Sequence, residues 1–250
     1  MSRTYEALRR AANGRRAPAV TPPAAADAVP RIDWTVDAPR DVEYQRLRVW
    51  LTGTAARGQA VKTVLVVGCH SGAGATTTSA LLAQTLSEGK RLSVLVIDAN
   101  FRTPAMGAVF DVRGGDGLGD VLDEGLPLDR GMRATQRSNL SVLPSGRVSR
   151  VPAEVFEGVA IDEFLADVKR RFDFVIIDGA PVLDFPDAHA LAPKVDGLIL
   201  VVEADKTPVD DAQRAKRVVE EAGGRLLGVV LNRQRDHTPR LLRRVLGTGG

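Results

Sequence analysis

Residues 64–86, VLVVGCHSGAGATTTSALLAQTL, join an apolar run to a glycine-rich turn and then to a Thr-rich helix start. Strand, glycine turn and helix in that order describe a phosphate-binding loop, in which backbone N–H groups cradle phosphates, a lysine reaches the outer ones and a hydroxyl holds magnesium. The usual ending is Gly, Lys and then Ser or Thr. Here Gly74, Ala75 and Thr76 stand in those places. An anion site built from Ser71, Gly72, Ala73, Gly74, Ala75, Thr76 and Thr77 is therefore expected, at a helix amino-terminus but without its mobile positive charge.

Working outward, strand and helix patterns alternate. Residues 62–68 read as a buried strand and 76–87 as the helix after the loop, stopped by Gly89. LSVLVID (92–98) is a second strand ending in Asp98, and FDFVIIDGAP (172–181) a later one carrying Asp178. Between them come short helical pieces near Met106 and over 118–122, a strand in NLSVLPSG, and an amphipathic helix over 155–172. A short helix over 186–192, the strand DGLILVVEA, a helix over 209–222 and the strand RLLGVVLN, ending at Asn232, complete the pattern. Near-continuous Val, Ile and Leu strands separated by helices predict an α/β fold, a doubly wound, mostly parallel sheet with helices on both faces. Ligands in such folds bind beyond the carboxyl ends of the strands, where the loop, Asp98, Asp178 and Asn232 all fall.

The flanks differ in composition. MSRTYEALRRAANGRR is patterned for a short helix with Tyr5, Leu8 and Ala12 on one side, and residues 17–39 are a Pro/Ala-rich linker. DVEYQRLRVWL resumes a helical pattern, with Val42, Leu47 and Trp50 or Leu51 as inward residues and arginines outward. The domains expected are 1–40 as terminal helix and linker, 41–235 as the P-loop domain and 236–250 as a basic tail. At 250 residues and 44% hydrophobic, the chain is sized for one α/β domain plus extensions. Its single cysteine, Cys69, excludes a disulfide framework, and His70, His189 and His237 lack metal-ligand spacing. A net charge of +3 does not call for nucleic acid, and no apolar run is long enough to span a bilayer, so a cytoplasmic protein is expected.

Asp98 and Asp178 occupy the places of Walker-type carboxylates that hold magnesium with Thr76, although an Asp after a strand also serves to cap the next helix. Arg102 has two readings, a guanidinium aimed at phosphate or a structural ion pair. Together these segments resemble the bacterial tyrosine kinases of capsule and exopolysaccharide synthesis, relatives of the MinD and ParA ATPases. DVEYQRLRVWL is similar to their oligomerisation helix, through Glu43, Arg46 and Arg48; VIDANFRTP to their Walker A′ segment; and FDFVIIDGAP to their Walker B. The resemblance implies ATP or ADP with magnesium, Asn232 near the base, a homo-oligomer, and a membrane polysaccharide co-polymerase as partner that recruits the chain to the inner membrane face.

The departures from that pattern shape the expected function. Ala75 replaces the lysine, Asn100 replaces the second acid of the A′ segment, Gln45 stands where an arginine is expected, and the residues after Asn232 contain no tyrosine to phosphorylate. His70 lies where MinD and ParA relatives keep an extra lysine, and it restores no permanent charge. Losing one charge-assisted hydrogen bond of about 1.5 to 3 kcal/mol weakens nucleotide binding roughly ten- to a hundredfold. Losing a group that acts on developing phosphoryl charge costs a further factor of about 10² to 10³ in rate. The expectation is a catalytically impaired scaffold or regulator that binds nucleotide weakly or not at all. The alternatives are an active kinase or ATPase with a relocated cation, or a MinD-like spatial regulator whose basic segment around Leu241, Leu242, Val245 and Leu246 meets a membrane surface.

Overall fold

The computed structural model describes residues 42–54, 60–112 and 115–234. The expected amino-terminal helix, the linker and the basic tail lie outside the described residues. The elements in chain order are α1 (Val42–Thr54), β1 (Thr63–Gly68), α2 (Ala75–Ser87), β2 (Val94–Asp98), α3 (Met106–Val109), α4 (Leu118–Glu124), α5 (Leu128–Gly131), β3 (Arg133–Ala134), β4 (Leu140–Leu143), α6 (Pro152–Glu157), α7 (Val159–Arg171), β5 (Phe174–Asp178), α8 (Asp187–Leu191), β6 (Gly197–Glu203), α9 (Val209–Glu221) and β7 (Leu226–Asn232).

The strands form one seven-stranded sheet in the order β3-β4-β2-β5-β1-β6-β7, parallel except for the β3–β4 pair. Every residue of β1, β2 and β5 is buried, because helices cover both faces and neither set of alternate side chains reaches water. Two apolar clusters result. One face joins Leu65, Ile97 and Ile177 to α4, α6, α7 and α9, and the other joins Val64, Val66, Val96 and Ile176 to α1, α2 and α3. Edge strand β7 is less covered, with Val229 and Leu231 exposed. Register places Asp178 opposite both Val66 of β1 and Asp98 of β2, so the loop after β1 and the two acids share one end of the sheet.

Helix α1 docks on α2 through Leu51, which is fully buried, with Tyr44 and Leu47 packed beside it. Val42 and Trp50 are not inward residues: they are 58% and 37% exposed, because the docked face turns through Tyr44, Leu47 and Leu51 at helical spacing. The single helix expected over 155–172 is two helices. Gly158, with ψ near 167°, is extended and separates α6 from α7. Pro152 opens α6 at a position that needs no N–H, and glycine's poor helix propensity favours the break.

Candidate functional site

Between Gly68 and α2 the chain makes the turn that the glycines permit. Gly72 and Gly74 lie at φ 81° and 97°, in the left-handed region where a side chain is strained. Gly74 also lacks room: a Cβ there would sit 2.0 Å from Asn232 Nδ2. Among the described residues no side chain caps α2, so its first amide groups face the turn without a side-chain acceptor. A glycine-lined turn ahead of an uncapped helix start fits a phosphate. Asn232, at the end of β7, donates from Nδ2 to the Ala73 carbonyl at 2.8 Å and so braces the loop in this structure.

The carboxylates stand beneath the loop, both buried, and their environments differ. Asp178 accepts hydrogen bonds from the Thr76 hydroxyl at 2.7 Å and the Ser79 hydroxyl at 3.1 Å. Asp98 accepts the backbone N–H of Asn100 at 3.2 Å and those of Ala105 and Met106 at 2.9 Å each, which makes it the cap of α3. Burial pushes the Asp98 carboxyl up to about 6, partly offset by those three donors. Burial and then the neighbouring Asp98 charge hold Asp178 well above the ordinary carboxylate range, against the pull of Thr76 and Ser79. Among the described residues, no lysine or arginine acts on either acid. Oxygens of Thr76 and Asp178 suit magnesium; both oxygens of Asp178 are engaged by hydroxyls, whereas both oxygens of Asp98 are engaged by backbone N–H groups. Among the described residues no group of three or more His, Cys, Asp or Glu converges on a metal position.

Arg102 is engaged in an ion pair. Its Nε and Nη2 donate to the two oxygens of Asp187 at 3.2 Å each, and its guanidinium carbon lies 4.9 Å from the Phe185 ring centroid. The Asp187 side chain is 1% exposed, so the bidentate pair neutralises a buried charge. Asn100, the replaced second acid, binds locally, donating from Nδ2 to Thr103 Oγ1 and accepting the Thr103 N–H.

At the other end of the loop lies a group of contacts that the sequence did not disclose. His70 Nδ1 meets Asp184 at 2.8 Å and its Nε2 meets Asp211 at 3.1 Å. Ser71 donates both its N–H and its hydroxyl to Asp184 Oδ2, at 2.8 and 2.7 Å. Ser71 thus faces the segment after β5 rather than the turn interior. Only the proximity of acids in those two later segments could have signalled it, and sequence separations of 114 and 141 residues hide that proximity. Cys69 is buried, and burial followed by the Asp211 charge pushes its thiol up to about 11, so it is not a reactive thiolate. On α1, Arg46 pairs with Glu43 at 2.7 Å, and Arg48 reaches Glu88 at 3.6 Å.

Comparison with known proteins accords with this geometry. A family model described as an AAA domain matches residues 61–222. The tyrosine-protein kinase YwqD of Bacillus subtilis is 30% identical over 191 residues, covering 76% of this chain and 79% of YwqD. The succinoglycan biosynthesis transport protein ExoP of Rhizobium meliloti is 31% identical over 161 residues, 62% of this chain and 20% of ExoP. Among solved structures, the chimerical protein CapA2B2 superposes with a TM-score of 0.74 at 26% identity, covering 80% of this chain and 87% of that one. The septum site-determining protein MinD of Pyrococcus horikoshii, complexed with Mg-ADP, gives a TM-score of 0.59 at 25% identity, with 74% and 76% covered. The chain belongs to the bacterial tyrosine-protein kinase family that includes YwqD, CapB and CpsD, on the P-loop fold it shares with MinD.

Proposed function

We propose that this chain is a catalytically impaired, kinase-like regulatory or scaffold module of exopolysaccharide or capsule synthesis, working with the cytoplasmic segments of a membrane polysaccharide co-polymerase. One observation carries the reading: with Ala75 in the lysine position, Asp98 and Asp178 are buried together and, among the described residues, no lysine or arginine acts on them. Phosphoryl transfer depends on positioned positive charge, and nothing covalent substitutes for it. The relocated-cation alternative loses its named candidate, because Arg102 is committed to Asp187. Similarity to ExoP, a succinoglycan biosynthesis transport protein, supports the polysaccharide assignment.

Nucleotide with magnesium, when bound, supplies the transferable phosphoryl group and the cation that offsets the acids. Within this proposal the backbone from Gly72 to Thr77 cradles phosphate, Thr76 and Asp178 hold magnesium directly or through water, and Asn232 leaves the loop to approach the base. Asp98 orders the segment ahead of α3. Glu43, Arg46 and Arg48 are the proposed contacts of a homo-oligomer, and a partner brings the chain to the membrane face; no described helix is long and apolar enough to cross a membrane.

Transfer of labelled phosphate from ATP to protein tyrosine by the purified chain is the direct test. No transfer above background is expected. Robust transfer that disappears in Asp178→Ala would establish an active kinase and remove this reading.

A further inference from the structure

The amino end of the phosphate loop is joined to two other parts of the fold by one side chain. His70 uses both ring nitrogens, Nδ1 toward Asp184 in the segment after β5 and Nε2 toward Asp211 in the first turn of α9. A neutral imidazole has one N–H donor and one acceptor, so it can satisfy only one carboxylate; the imidazolium donates to both. Two carboxylates on opposite ring nitrogens therefore select the charged form. We propose that His70 is a proton-dependent positioning residue whose imidazolium ties the loop to α9 and to the segment after β5, and so keeps Ser71 on Asp184.

The surrounding charges are consistent with this. Asp184, 27% exposed, also takes both Ser71 donors. Asp211, 28% exposed, has its other oxygen 3.4 Å from Arg214, one turn along α9. The Cys69 thiol beside the ring stays neutral, since its pKa lies near 11. Hydrogen bonds to Asp184 and then Asp211 raise the His70 pKa above its ordinary 6.5, against a smaller opposing effect of burial. A group with a raised folded-state pKa contributes stability that is complete below the unfolded value of 6.5 and is lost as pH rises through the folded value. Both contacts are thus made in mild acid, and one of the two is lost in base.

This inference does not depend on nucleotide binding or on the proposed function, and its test uses neither. The imidazole titration of His70 is followed by NMR in the full chain and in Asp211→Asn, alongside melting of native protein, His70→Gln and His70→Lys at pH 6 and pH 9. Expected results are a midpoint above 6.5 that falls in Asp211→Asn, and a melting temperature lowered by about 2 to 4 °C in His70→Gln at pH 6 but unchanged at pH 9. His70→Lys, charged at both pH values, should melt above the native protein at pH 9. A native midpoint at or below 6.5, or a His70→Gln deficit equal at the two pH values, would overturn the proposal. The native titration and Asp211→Asn decide the question even if the His70 variants fail to fold.

Discussion

The two ends of the phosphate loop are treated differently by the same fold. At the amino end, His70 and Ser71 meet Asp184 and Asp211 in a set of complementary contacts, and each acid has a named donor. At the carboxyl end, Asp98 and Asp178 lie buried with hydrogen-bond donors but, among the described residues, no cation. The first end anchors the loop to its own protein; the second is where a nucleotide and its metal would be held. On the proposed reading, charge matching is kept where it serves the fold and is missing, among the described residues, where it would serve transfer.

Three substitutions would break or sharpen that contrast. The largest effect is expected from Arg102→Ala, which leaves the buried Asp187 carboxylate without its bidentate partner; chemical denaturation should register a loss of about 3 kcal/mol. If stability is unchanged while nucleotide affinity falls, Arg102 belongs to the phosphate site and the carboxyl end is not cation-free. Thr76→Val removes the donor nearest Asp178, and leaving that buried oxygen with one partner fewer should cost about 2 kcal/mol by the same measurement. A neutral result there would mean that water already serves Asp178. The smallest effect belongs to the amino end, where the His70→Gln deficit of about 2 to 4 °C should be confined to the acidic side of neutrality.

Reading the chain before seeing its fold recovers some of this and misses the rest for definite reasons. The run from β1 through the glycines to α2 is legible because periodicity and glycine chemistry are local, and the placing of Asp98 and Asp178 follows from the ends of apolar strands. Ala75 is visible as an absence at a position whose neighbours define it. What the acids do is not local. Asp98 caps α3 because the turn after β2 brings the Ala105 and Met106 amides to it, and Arg102 finds Asp187 across 85 residues of sequence. The His70 contacts span longer separations still. Strand β3, Arg133–Ala134, is two residues long and carries no alternating pattern, so only its pairing with β4 defines it. The split at Gly158 is hidden by an apolar pattern that continues across it.

If the carboxyl end of the loop lacks the cation a nucleotide needs, calorimetry of ADP and ATP binding in magnesium, native protein against Ala75→Lys, will reveal it. Binding by the native chain should be weak or undetectable, and restoring the lysine should strengthen it roughly ten- to a hundredfold. Tight binding by the native chain, unaltered by Ala75→Lys, would contradict it.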